Sequence, residues 1–292
     1  MNKIKELLLV AKACRPSGRI DADTIRSDKI PPADKGTVRI MSFNLRCASD
    51  PEGSIVNRSR LVSAIILGHL PDSLGVQEET PKWERLLCRA LKGRYARVGE
   101  ARDSNGPFSE SNGIYYLKNK YRLVDSCTFW LSETPEVKYS VSFGSTCKRI
   151  ATRAVLENKK TGERYTHINT HLDHVLESTR VEQCRVLLEE MKKFSSEGTV
   201  VCTGDFNDYP DSAVYAAMTM ETDDAAATAK VTDKGLTFHG YGKVTDESTG
   251  PIDFIFLTKG TEVKSYKIIR TKAPDMYPSD HYPVTADIVA AK

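Results

Sequence analysis

Four runs of this chain are almost continuously apolar: VRIMSFNL from Val38, SLGVQ from Ser73, TVVCT from Thr199 and IDFIFL from Ile252. A strand that is apolar on both faces has to be covered on both, which calls for a layered fold rather than a sheet with one wet side. Helical stripes flank the second of these runs. Leu61, Val62, Ile65, Ile66 and Leu70 recur at helical spacing over 58–70, and QEETPKWERLLCRALKG carries Pro81 where a helix starts and Gly93 where one stops. The first third therefore reads βαβα.

The middle of the chain changes character. RYARVG, GIYYLK, YRLVDSCTFWLS, RIATRAVLEN and RYTHINTHL are successive β-rich runs, with KKTGE as a hairpin turn between the last two. A helix is expected over 176–194 and another over 212–220 with Asp211 as its N-cap; IDFIFL, VKSYKIIR and YPVTADIV supply three more strands. Two α/β portions flanking a β-rich middle fit an α/β fold of two sheets packed face to face with helices outside. Residues 15–36 are rich in Pro, Gly and charge, so 1–36 reads as a helix and arm and 37–292 as one domain. The apolar patch Leu7–Ala11 is too short to span a bilayer and makes a poor signal peptide. Seven scattered cysteines with no CxxC pair point to reduced thiols and a cytoplasmic protein. A net charge of +3 permits an anionic substrate but falls short of a nucleic-acid-binding signature.

Polar residues collect at the strand ends. Asn44 closes VRIMSFN, Gln77 and Glu78 close SLGVQE, and His171 and Asp173 close THINTHLD. Asp205, Asn207 and Asp208 close VVCTGDFND, Asp253 sits in PIDFIFL, and Asp280 and His281 precede YPVTADIV. Sites gather at strand termini in layered α/β folds. The oxygen donors Asn44, Glu78, Asp205, Asn207 and Asp280 suit Mg²⁺ or Mn²⁺ rather than a soft-metal site. A histidine needs a carboxylate to fix its tautomer and raise its pKa, and Asp253 is a candidate for that role. A hard cation, a base and a cationic histidine together describe phosphoester hydrolysis.

The ordered set SFNLR, VQEE, NTHLDH, GDFND, IDFIF and SDHYPV resembles the endonuclease/exonuclease/phosphatase superfamily, the DNase I-like hydrolases, over nearly all of the chain after the arm. GDFN followed by Asp208-Tyr209-Pro210, with NTHLDH and TFHGYG, is nearest to its deadenylase-like bacterial-type branch. The resemblance implies a four-layered α/β sandwich, a divalent cation, normally Mg²⁺, and attack of water on phosphorus. It implies Glu78 as principal metal ligand with Asn44 beside it and Asp280 as a further metal-associated carboxylate. Asp205 would deprotonate the water, and Asn207 would hold phosphate and nucleophile. His281 paired with Asp253 would stabilise phosphoryl charge, and His171 would contact the phosphate from the opposite side. The implied substrate is a phosphodiester, of a nucleic acid or nucleotide, with a small phosphorylated metabolite as the alternative and a non-catalytic binding module as a third reading.

Other residues have plainer readings. His167 shares a strand face with His171 but sits deeper, so packing is expected for it. His171, Asp173 and His174 suggest zinc, yet no further soft ligands accompany them. Arg180 is expected in a surface salt bridge, Asp208 in a turn, and Trp83, Phe129 and Trp130 in the core or at its rim.

Overall fold

Among the described residues, 36–50 and 53–290 of the computed structural model, the apolar runs form two mixed sheets. One has the spatial order β10 (Val231–Thr232), β12 (Glu262–Ile268), β13 (Val284–Val289), β1 (Val38–Asn44), β2 (Ser73–Gln77), β4 (Ile114–Leu117), β3 (Tyr95–Val98). The other runs β5 (Tyr121–Trp130), β6 (Ile150–Asn158), β7 (Arg164–His171), β8 (Thr199–Asp205), β11 (Asp253–Thr258), β9 (Thr222–Asp224). The first sheet is covered by α1 (Ile55–His69) and α2 (Pro81–Leu91), the second by α3 (Glu177–Phe194) and α4 (Ala213–Glu221). This is the expected four-layered sandwich. The expected helix and arm over 1–36 lie outside the described residues, Gly36 aside.

Strand alternation assigns each residue its layer. On β1, Met41 and Phe43 pack with Leu61, Ile65 and Trp83 of the helical layer, while Ile40 faces the other sheet. On β8, Val200 and Cys202 pack under α3 with Cys184 and Leu187, while Val201 turns inward. Trp83, Phe129 and Trp130 are all buried.

The contact between the sheets is partly polar. Asn169 of β7 donates to the carbonyls of Val76 (2.8 Å) and Gly113 (3.1 Å) and accepts from Gln77 Nε2 (2.7 Å) and Thr203 Oγ1 (3.0 Å). His167 lies one step deeper between Ser73 Oγ and Thr203 Oγ1, both at 2.8 Å, and burial pushes its ring down to about 3, so it is a neutral packed histidine. Gly75 makes this closeness possible. A Cβ there would stand 2.3 Å from Thr203 Oγ1 and 2.4 Å from Asn169 Oδ1.

Details of the elements differ from the sequence pattern. The first helix starts at Ile55, capped by Ser54 on the Asn57 N–H (3.2 Å), and stops where Leu70 turns left-handed at φ 48°. The cap of α4 is Ser212, not Asp211: its hydroxyl accepts from the Tyr215 N–H at 3.2 Å, a reach that Asp211 lacks one residue earlier. The short β9, β10 and helix α5 (Ala225–Thr228) have no periodic signal to announce them. The cysteines among the described residues are unpaired, and no described helix is long and apolar enough to cross a membrane.

Gly75→Ala should therefore overpack the seam and lower stability by about 1–3 kcal/mol, read as a fall in the urea midpoint at unchanged m-value.

Candidate active site

Pairing register brings the strand-end residues together. The parallel pair β1 and β2 sets Asn44 beside Gln77, the parallel pair β7 and β8 sets His171 beside Asp205, and antiparallel β11 sets Asp253 on the other side of Asp205. Asn44 then spans the sheets: its Nδ2 donates to Asp205 Oδ2 at 2.8 Å and to Glu78 Oε1 at 3.1 Å. His281, just ahead of β13, holds Asp253 Oδ2 through Nδ1 at 2.8 Å and turns Nε2 toward Asp205 Oδ2 at 3.7 Å. From the opposite side His171 Nε2 lies 3.6 Å from the same oxygen.

The loops that finish these strands are bent to fit. Arg46, Glu78 and Asn207 all have left-handed backbone, with φ of 58°, 57° and 51°. Such conformations cost a non-glycine residue free energy and persist where the surroundings fix them. The fixing bonds are visible. The Asn207 N–H donates to Asp205 Oδ1 (2.9 Å) and its side-chain amide to the Leu172 carbonyl (3.1 Å). The Cys47 N–H donates to Glu78 Oε2 (2.7 Å), and Trp83 Nε1 donates to the Arg46 carbonyl (2.9 Å). The adjacent glutamates diverge: Glu78 enters the site, whereas Glu79 turns away to Arg97, 2.7 Å distant.

The electrostatics separate these groups. Burial pushes the Asp205 carboxyl well above the ordinary carboxylate range; the charge of His281 opposes this and that of Asp253 adds to it. Burial also opposes charge on His281, but Asp253 and Asp205 outweigh it and raise the ring well above an ordinary imidazole. His171 moves the other way, since burial and then the charges of Arg149 and Arg102 keep it neutral. For Glu78, burial is outweighed by the hydrogen bonds of Cys47 and by His281, so its carboxyl is held low. Asp280 is raised, by burial first, with His281 opposing and Glu78 adding to the shift; Arg46 Nε stands 3.6 Å from it.

Two arrangements of donors result. The ligand atoms of Asp205, Asp253 and His281 lie within 4.8 Å of one another, near enough to share a cation. With a proton on each ring nitrogen, however, His281 is itself the cation between those carboxylates. Glu78 and Asp280 are mutually repelling carboxylates, oxygen donors of the kind that suit a hard divalent ion, and Asn44 beside them turns its Nδ2 to Glu78 while its Oδ1 accepts from the Arg46 N–H at 3.0 Å.

Some residues take parts other than those expected. Arg180 is not at the surface: it is 8% exposed, and its Nε and Nη2 reach Asp208 Oδ2 at 3.0 and 2.8 Å. Asp208 is accordingly an anchor that ties the GDFND loop to α3, beyond a turn residue. His174 is exposed and its Nδ1 pairs with Arg149 Nη2 at 3.0 Å, so it is not turned to a metal beside His171. Arg149 itself escaped the motif reading. Counting the β6–β7 hairpin back from KKTGE through Ala151 opposite Thr170 puts Ile150 opposite His171 and Arg149 one residue beyond, so strand pairing alone did not reveal it.

Residues 41–281 match the model of the Endonuclease/Exonuclease/phosphatase family. Among solved structures, an endonuclease/exonuclease/phosphatase from Bacteroides vulgatus is 34% identical, with a TM-score of 0.79 over 86% of this chain and 98% of that one. The mannosyl-6-phosphatase Bt3783 of Bacteroides thetaiotaomicron is 27% identical, with a TM-score of 0.78 over 86% and 99%. The human Nocturnin catalytic domain, at 18% identity and TM-score 0.64 over 88% and 95%, shares the fold. A comparison with curated protein sequences gives no match.

Breaking the buried Arg180–Asp208 pair by Arg180→Ala should cost about 3–5 kcal/mol in urea unfolding, and adding Asp208→Ala should restore part of it, because the loss comes mainly from the stranded charge.

Proposed function

The chain belongs to the endonuclease/exonuclease/phosphatase family, and on that premise we propose that it hydrolyses the phosphoester of a small phosphorylated metabolite by metal-assisted attack of water. The observation that carries the chemistry is the placement of a buried carboxylate beside a histidine that is itself bonded to a second carboxylate, Asp253, at 2.8 Å. Asp205 has a raised carboxyl suited to taking a proton, and His281, 3.7 Å away, is held cationic by Asp253.

Each role follows from the contacts. Asp205 accepts the proton of the attacking water, oriented by the Asn44 amide and the Asn207 N–H. The His281 Nε2–H donates to a phosphoryl oxygen as charge spreads in the transition state, and Asp253 keeps that imidazolium in place. Asn207 steadies phosphate and water, and neutral His171 contacts the phosphate from the far side. Glu78, Asn44 and Asp280 would hold a divalent cation, Mg²⁺ or Mn²⁺, which when bound supplies charge neutralisation at the phosphoryl oxygens.

The small-metabolite reading is supported by the likeness to the mannosyl-6-phosphatase and by the modest net charge of +3. A phosphodiester of a nucleotide or nucleic acid is the second reading. Phe108 and Tyr209 favour it: they are 80% and 42% exposed in the β3–β4 connection, where Phe108 ends a 3-10 turn, and in the loop after β8, at the same end of the sheets as the site, where a base could stack. A panel of sugar monophosphates against nucleotide diesters, assayed with Mg²⁺ and Mn²⁺, separates the two by which class turns over.

Activity should disappear with EDTA and return with Mg²⁺ or Mn²⁺, and Asp205→Asn should lower kcat about 10²- to 10⁴-fold, the usual worth of a general base. The pH profile gives an independent check. Asp253 raises His281, whose proton is needed, so Asp253→Asn should move the alkaline limb of kcat/KM down by about one to three pH units. An unmoved limb would remove His281 from its assigned role.

A further inference from the structure

Beside His171 lies a narrow recess of about 10 Å³ lined by Arg102, Glu110, Asn112, Lys148 and Arg149. It shares Arg102 and Lys148 with a wider recess of about 250 Å³. Arg149 is 5% exposed, yet only its Nη2 is engaged, by His174; Nε and Nη1 are buried with no partner among the described residues. His171 Nδ1 and Arg102 Nε are likewise buried and unpartnered. A guanidinium stays charged in a protein, and a buried charge without an anion is costly. The carboxylates at hand relieve it only through space: Glu110 is bonded to Arg102 at 2.8 Å, and Asp173 accepts from Ser145 Oγ and the Val175 and Leu176 N–H groups, so neither is hydrogen-bonded to Arg149.

We propose that Arg149, with Arg102 and Lys148, forms a second anion subsite that takes another acidic group of the substrate while the scissile phosphate lies against Asp205 and His281. The favoured substrate then carries two acidic groups, a phosphoester and a second phosphate or carboxylate a few bonds away, with His171 between them. This rests on the reading of the site as a phosphoesterase. Charge-assisted hydrogen bonds from arginine to such a group are the strong ones, so selectivity is the property they control.

Three compounds on one skeleton test it: glucose 6-phosphate, glucose 1,6-bisphosphate and 6-phosphogluconate. At least one of the two doubly acidic compounds should exceed glucose 6-phosphate about tenfold in kcat/KM, and that ratio should fall about tenfold in Arg149→Gln and in Lys148→Ala. Which compound leads tells phosphate from carboxylate. Lys148 is in a loop, so its variant keeps the test alive if Arg149→Gln fails to fold. A ratio near unity in the wild type, or one unchanged in both variants, overturns the subsite. Calorimetric binding of inorganic pyrophosphate to the same proteins is the arm that does not need turnover. Affinity weakened about tenfold in both variants, and restored at position 149 by Arg149→Lys, supports the subsite even if none of the three sugars is hydrolysed, an outcome that would count against the small-metabolite phosphoester reading instead. Equal pyrophosphate affinity in all the proteins sinks the subsite.

Discussion

Asn169 is the joint between the two sheets. Its amide gives both hydrogens to carbonyls of the opposite sheet, and its oxygen accepts from Gln77 and Thr203, so no polar atom of a fully buried side chain is left wanting. Apolar contact alone lets sheets slide, because it has no direction. The Asn169 bonds are directional, and Gly75 lets them be short. They fix the offset of one sheet on the other, and with it the 2.8 Å approach of Asn44 to Asp205 across the gap.

Along the inward faces, polarity rises toward one end. On β1 the sequence is Ile40, Ser42, Asn44; on β7, Tyr165, His167, Asn169, His171; on β8, Val201, Thr203, Asp205. The deep end is a hydrophobic core, the middle a hydrogen-bonded seam and the mouth a set of titratable groups. That gradient explains why two histidines of one strand behave differently. His167 is closed in by two hydroxyls and stays neutral as packing, whereas His171 reaches the mouth and faces Asp205. It also explains the raised carboxyl of Asp205, which belongs to the buried layer and yet stands at the mouth.

The mouth is built from loops held by charge. Arg180 pins Asp208, the Cys47 N–H pins Glu78, and Asp253 pins His281. Left-handed backbone at Arg46, Glu78 and Asn207 is the cost of aiming these groups, and the hydrogen bonds around them offset it. Arg149 differs because nothing among the described residues completes it, which makes it a group positioned for what the substrate brings.

The layered architecture and the polar strand ends were legible in the sequence, since period-two alternation and apolar runs depend on burial, which each strand records locally. Asn44, Glu78, Asp205, Asp253 and His281 could be picked out from their places at the ends of such runs. Residues whose meaning depends on a distant partner were not legible. Arg180 read as a surface residue because its carboxylate lies on another loop, Asn169 as one strand polar among several, and Arg149 as the start of a strand. The tertiary structure decided these by fixing register and offset between sheets, which set distances between side chains far apart in the chain. The sequence by itself determined which residues could do chemistry; only the packing of sheet on sheet decided which of them share an oxygen of Asp205.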